Sequence, residues 1–236
     1  MISLSGPDEV LKALDGHAYA RFSTAMSVDV GGLTDGEALL WWGTTGFGGI
    51  GHTRGDPQAS ARLIEAGREA MGPVGWINMP RPPGVESDRA WDFRWTTSVP
   101  DIVEDHEVVP VGDGDEINAL LDEVFPDSSV RPGHPVVIGW YGIRAGGRLA
   151  AVAADRSGRP PGSEARPTVG VIGSLAVHPH FRGQGLGKAL SAALTTRFVR
   201  DYGLSTLGVY PQNVAAQRMY ESLGYRESLP LLGVLQ

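Results

Sequence analysis

The sequence predicts a mixed α/β fold, with a smaller α/β domain ahead of a larger one. Three observations point there. Of 236 residues, 42% are hydrophobic and 20% charged, the balance of a chain that folds around a core. Glycine (33) and proline (17) cut it into short segments without forming any periodic or low-complexity block. Beyond residue 106, strand-like and helix-like segments follow in the order β-α-β-β-β-α-β-α-β. Such an order makes a central mixed, twisted sheet flanked by helices.

A helix is expected over 7–14. Asp8 and Glu9 suit its first turn, and Val10, Leu11 and Leu14 share a face. Two apolar segments, 18–26 and 38–43, have the length of strands. A glycine cluster at 46–51 precedes Asp56-Pro57, an N-cap and a first-turn proline that open a helix over 57–70. A short strand over 74–79 runs into the loop 80–84. Trp91, Phe93 and Trp95 alternate with other residues, the period of a strand over 91–97. Residues 100–106 are acidic and carry few bulky side chains, so we place the domains at 1–103 and 104–236.

In the second stretch, 107–111 reads as a strand. A helix over 115–125 follows, with Ile117, Leu120, Leu121 and Val124 at helical spacing, then a loop over 128–135. Strands over 136–144 and 148–154 form a hairpin around Ala145-Gly146-Gly147. After a polar loop comes a mostly buried strand over 168–177. The longest helix, 185–202, is stopped by Gly203. A strand over 205–210, a helix over 213–223 between Asn213 and Gly224, and an apolar strand over 229–235 end the pattern.

Charge and composition exclude several classes. The net charge is −7, with 8 basic and 15 acidic residues in 1–105 and 12 of each beyond. No basic face is evident, so nucleic acid is not an expected partner. With no cysteine, disulfides, thiolate nucleophiles and Cys-based zinc sites are all excluded, and no metal is expected. There is no 18-residue apolar run and no apolar core in the first sixteen residues, so neither a membrane span nor a signal peptide is expected. A cytoplasmic location follows as the expectation.

The segment from Leu175 to Lys188, LAVHPHFRGQGLGK, joins a buried strand to the long helix across a glycine-rich turn. Glycines let a backbone approach a ligand closely, and the first N–H groups of the helix then face it. That makes an anion site suited to phosphate, with Arg182 adding charge at its rim. A plain strand–helix turn would need fewer glycines. A P-loop fails on spacing, because Gly183 lies four residues before Gly187 and Lys188 is followed by Ala189. A dinucleotide fingerprint fails too, its third glycine coming one residue early.

Arg182-Gly183-Gln184-Gly185-Leu186-Gly187 instead resembles motif A of the GNAT N-acetyltransferase superfamily, Q/R-x-x-G-x-G/A. Leu175-Ala176-Val177-His178-Pro179 resembles its L-x-V-x-P strand end. Downstream, Asn213 opening a helix and Tyr220 ahead of Ser222-Leu223-Gly224-Tyr225 resemble its next block. The resemblance covers about 107–236 and implies the GNAT fold there, with acetyl-coenzyme A as donor. It implies that the amides of Gly183, Gln184, Gly185, Leu186, Gly187 and Lys188 cradle the pyrophosphate, with Arg182 beside them. Leu175, Ala176 and Val177 would pair with the pantetheine arm as an added strand, and Asn213 would touch that arm. Tyr220 would be the general acid for the departing thiolate. In one respect the sequence departs from the family: the glutamate often found on this strand falls on Gly173 or Ser174. Glu123, Asp127, His134 and His178 are other base candidates, none of them singled out by the sequence. A water held by Ser174 would be another route.

The first stretch lacks motif A. Its order of strand, glycine turn, helix and strand repeats the second in outline, as a degenerate GNAT-like domain or an unrelated extension would. The leading expectation is direct acetyl transfer from acetyl-coenzyme A to an amine of a small molecule or peptide, with a homodimer as the assembly considered. A coenzyme A-binding regulatory protein without catalysis is the alternative.

Overall fold

The computed structural model describes residues 1–102 and 105–235. In chain order the first elements are β1 (Ile2–Ser5), α1 (Gly6–Ala13), α2 (Ala18–Ala25), β2 (Val28–Thr34), β3 (Ala38–Thr45), β4 (Gly48–Gly55), α3 (Pro57–Met71), β5 (Trp76–Pro80) and β6 (Ala90–Thr96). Then come β7 (Val109–Pro110), α4 (Gly114–Val124), β8 (Gly139–Ala145), β9 (Arg148–Asp155), β10 (Gly170–Val177), a 3-10 turn (Pro179–Phe181), α5 (Leu186–Tyr202), β11 (Ser205–Val209), α6 (Val214–Ser222) and β12 (Glu227–Leu235).

Two compact units result. One contains Met1–Phe93, Arg159–Arg166 and the segment from Ser228; the other contains Arg94–Gly158 and Pro167–Glu227. The boundary expected at 103/104 falls on Val103 and Glu104, which lie outside the described residues. The compact units divide between Phe93 and Arg94, inside β6. The closing strand also groups with the first unit, because β12 pairs with β5 from Leu231↔Pro80 to Leu235↔Trp76.

In the first unit the strand order is β1-β2-β3-β4-β5, with β12 beyond β5. Neighbours run antiparallel as far as β4, and β4 runs parallel to β5. Residues 18–26, expected as a strand, form helix α2. Tyr19, Ala20, Ser23 and Thr24 are its buried face, a helical spacing, and the His17 ring accepts a hydrogen bond from the Tyr19 N–H. The glycine cluster expected as a turn is mostly β4, paired with β3 without a register break from Ala38↔Gly55 to Thr45↔Gly48. Strands β1 and β2 were not expected. Two glycines hide β2, and the Trp42 ring packs where a β-carbon on Gly31 would stand, 2.8 Å away.

The core of this unit is aromatic: Trp41, Tyr19 and Phe93 are almost fully buried. His52 lies among them, stacked on Trp41 at 5.2 Å and hydrogen-bonded through Nδ1 to the Tyr19 hydroxyl at 2.8 Å. The Trp41 indole N–H donates to Ser23 Oγ. Burial pulls the His52 pKa down to about 3. Its folded-state pKa therefore lies below its unfolded value, so its contribution to stability is present above pH 6.5 and is lost as pH falls towards 3. Urea unfolding should show stability falling across that window by on the order of 4 kcal/mol. His52→Gln should flatten that slope even if it lowers stability at neutral pH.

The second unit repeats the strand order as β7-β8-β9-β10-β11, with β6 beyond β11. Here β8, β9 and β10 are antiparallel and β10 runs parallel to β11. The crossover between β10 and β11 is α5, as a parallel pair requires. Ala150 to Ala154 of β9 are fully buried, and their small side chains let helices approach both faces. On one face Leu190, Leu194 and Phe198 of α5 pack with Ile172 and Leu207. On the other, Ile117, Leu120 and Leu121 of α4 pack with Trp140, Val152 and Ala176.

Candidate active site

Two local events open a site in the second unit. The ladder between β10 and β11 runs only from Gly170↔Ser205 to Ile172↔Leu207, although β10 continues to Val177. Between Gly173 and Ala176 the pairing of β10 with β9 shifts register, a bulge that bends the strand. The two parallel strands part, and a groove of about 840 Å³ lies between them, within the range of small-molecule sites.

At one end of the groove the 3-10 turn leads into α5. Gly185 is its N-cap, at φ 81° in the left-handed region, and no side chain caps the helix. The first intrahelical bond is from Ala189 N–H to the Gly185 carbonyl, so the preceding helix amides are left to a ligand. A β-carbon added at Gly183 or Gly185 would meet no protein atom within 4 Å, so the open side of the turn is room rather than packing. Gly187 is different: Val177 Cγ2 lies 3.3 Å from where its β-carbon would be, and the helix sits close on the strand end. Arg182 and Lys188 line the groove, and with the positive end of α5 they favour an anion. A pyrophosphate fits this donor set.

Of the residues singled out by sequence, Leu175, Ala176, Val177, Arg182, Gly183, Gly185, Leu186, Gly187, Lys188, Asn213 and Tyr220 all line this groove. Gln184 does not; its side-chain amide turns back to the His180 carbonyl, and its own carbonyl meets the His106 ring at 3.2 Å. Leu175 to Val177 lie beyond the end of the parallel ladder, so their edge faces the groove. Asn213 caps α6, its Oδ1 accepting from Ala216 N–H at 3.1 Å. Tyr220 lies seven residues further along, on the face of α6 that meets the same groove. Burial, and then the neighbouring Tyr225, push its phenol well above the ordinary range, and the Ser191 hydroxyl offsets part of that. The phenol therefore holds its proton throughout the neutral range.

Gly173, one of the two positions where the resemblance expects an acid, is closely packed. A β-carbon on Gly173 would stand 2.4 Å from Cδ of Arg156, which fills that space. Burial pulls the Arg156 pKa down to about 10. Of the other base candidates, His178 lies against Glu123 at 3.2 Å and Arg148. None of Glu123, Asp127, His134 and His178 is among the groove-lining residues.

Sequence reasoning missed Arg94 and Ser128. Arg94 is buried and donates to Glu221 Oε1 (2.9 Å), Gln217 Oε1 (3.3 Å) and the Tyr225 carbonyl (3.3 Å). It grips α6 on either side of Tyr220, from more than 120 residues away in sequence. No local pattern could have exposed it. Ser128 sits in a loop without periodicity, and its partner is Ser174 of β10.

The profile of the Acetyltransferase (GNAT) family matches residues 100–225. Among curated proteins, the mycothiol acetyltransferase of Kocuria rhizophila is 39% identical over 67 residues, 28% of this chain and 22% of that protein. The mycothiol acetyltransferase of Nocardiopsis dassonvillei is 44% identical over 59 residues, 24% and 18% of the two chains. The matched stretch thus spans about a fifth of these relatives. A GCN5-related N-acetyltransferase from Kribbella flavida superposes with a TM-score of 0.55 at 16% identity, covering 95% of this chain and 94% of its own. A GNAT-family structure from Novosphingobium aromaticivorans gives 0.53 at 23%, covering 86% and 88%. These two likenesses concern the fold.

Two variants test the geometry. Gly185→Asp places a carboxylate on the anion face and forces a side chain into a left-handed position. Calorimetric titration with coenzyme A should show binding lost in a protein that still folds. Arg94→Met removes the grip on α6 and should lower the unfolding free energy by about 1–3 kcal/mol in urea.

Proposed function

The chain belongs to the acetyltransferase (GNAT) family, and on that premise we propose that it passes an acetyl group from acetyl-coenzyme A directly to an amine of a small molecule or peptide. One observation supports this reading above the others: the uncapped start of α5, the parted edge of β10 and Tyr220 all open on one groove. In this reading the α5 amides hold the pyrophosphate, and the edge of Leu175 to Val177 pairs with the pantetheine arm. A backbone N–H of Ala176 or Val177 polarises the thioester carbonyl. The amine nitrogen forms the new C–N bond, the C–S bond breaks, and the sulfur takes a proton from Tyr220. The proton lost from nitrogen balances the one gained by sulfur. No enzyme nucleophile takes part in this reading, since the amine attacks the thioester directly, and the chain has no cysteine.

A second reading, coenzyme A binding without turnover, is favoured by one observation: Gly173 and Ser174 stand where the resemblance to the family leads one to expect an acid. Thermal-shift measurements with acetyl-coenzyme A, ATP and NAD, then thiol release with an amine panel, separate the two. Stabilisation by ATP or NAD and not by acetyl-coenzyme A would remove both. The first unit has the same strand order and is, on our reading, a GNAT-like repeat without a cofactor site. Its helix α3 is capped by Asp56, whose carboxylate accepts from Ala59 N–H at 2.8 Å and occupies the place an anion would take.

Tyr220→Phe keeps the ring but removes the proton donor. It should lower kcat by about 10²–10⁴ with little change in coenzyme A affinity. The loss should shrink for an acyl donor with a more acidic leaving thiol. Full turnover in this variant would make the tyrosine structural. With its pKa pushed upward, Tyr220 should impose no falling limb on the rate profile below about pH 10.

A further inference from the structure

Ser174 lies within the β10 bulge at φ 47°, in the left-handed region. Among the described residues, the other non-glycine residues with positive φ are Asp15 and Asp29, a type that tolerates it. A serine held there on a strand lining the groove stands out, and such strain gathers at functional sites. Its side chain is part of a short chain of hydroxyls. Ser174 Oγ lies 2.9 Å from Ser128 Oγ, and Ser128 Oγ lies 2.9 Å from the Val130 carbonyl. Ser174 Oγ is 3.4 Å from that same carbonyl. Ser128 has one proton, and the shorter contact to Val130 takes it. Ser174 therefore donates to Ser128, which leaves its own lone pairs to accept.

We propose that Ser174, aimed by Ser128, accepts a hydrogen bond from the N–H of an acceptor amine that arrives already neutral. The site then selects weakly basic amines: the α-amines of amino-acid amides and of peptides, rather than alkylamines such as a lysine side chain. This rests on the acetyl-transfer reading above. Among the described residues lining the groove there is no carboxylate and no imidazole. A serine hydroxyl can receive a hydrogen bond but cannot hold the proton of an ammonium group. At pH 7.5 an α-amine of pKa about 7.8 is roughly one-third neutral, and a lysine-like amine of pKa about 10.4 only about 0.1%. The weaker nucleophilicity of the α-amine offsets part of that advantage. The neutral amine attacks the thioester carbon, the C–S electrons leave on sulfur, which takes the Tyr220 proton, one N–H proton goes to solvent, and Tyr220 regains its proton from solvent.

The test is a pH profile of kcat/KM for the full chain with saturating acetyl-coenzyme A and three amines: glycinamide, a short peptide with a free N-terminus, and Nα-acetyl-lysine amide. Each rising limb should level at the pKa of its own amine, and glycinamide should exceed the lysine compound by about tenfold or more at pH 7.5. Ser174→Ala should lower kcat/KM for glycinamide about tenfold while leaving coenzyme A affinity within about twofold. Ser174→Gly relaxes the backbone yet removes the hydroxyl, so it should show the same loss in a protein at least as stable. A rising limb at one fixed pKa for all three amines would reveal an enzyme base and overturn the proposal alone. Wild-type rates in both variants would do the same. Binding of acetyl-coenzyme A with no thiol release for any amine would overturn the transfer reading as well.

Discussion

The second unit is organised around a hydrogen-bond ladder that stops early. β10 and β11 pair over three residues and then part, leaving the edge of β10 from Gly173 to Val177 without that neighbour. Unpaired backbone donors and acceptors are costly when buried, so such an edge must meet water or a ligand strand. The bulge aims the edge, α5 starts where it ends, and α6 lies across the gap. The first unit is an internal comparison, since its strands follow the same order and its parallel ladder also covers three pairs, Ile50↔Trp76 to His52↔Asn78. It lacks the other two devices. Its β3–β4 register is unbroken, and its α3 terminus is closed by Asp56. In the second unit the parted strands, the bend and the uncapped helix occur together.

Rigid support surrounds the gap. Tyr225 reaches from beyond α6 to Thr195 of α5 and Ser205 of β11, with hydroxyl contacts of 2.7 and 2.6 Å. Its ring meets Tyr220 edge-on at 5.8 Å. Arg94 holds the far side of α6. The Tyr220 phenol, on a short helix of nine residues, gains its position from these contacts, because so short a helix has little stability of its own.

What the sequence disclosed followed from whether the information was local. The glycine turn, the α5 start and the Asn213–Tyr220 spacing are each written within a few consecutive residues, and the structure gathers them on one groove. The β8–β9 hairpin and the extent of α5, up to Gly203, were legible for the same reason. Helix α2 was not, because Tyr19 and Ala20 adjoin Phe22 in a run too short for period to decide between helix and strand. Strands β2 and β4 were obscured by glycines whose role is close packing against tryptophan or pairing with β3. Arg94 and Ser128 act through partners far off in sequence, where no spacing rule reaches.

The pairing of β12 with β5 joins residues about 150 positions apart, Leu235 with Trp76. A ribosome making this chain releases the first unit's aromatic core long before the strand that completes its sheet. Until then the outer edge of β5 lacks its neighbour, and closing it must wait for the intervening residues of the GNAT-family segment. Such non-local closure is slow because the loop entropy is spent before the contact forms. The sheet of the first unit is thus completed by its most distant pairing.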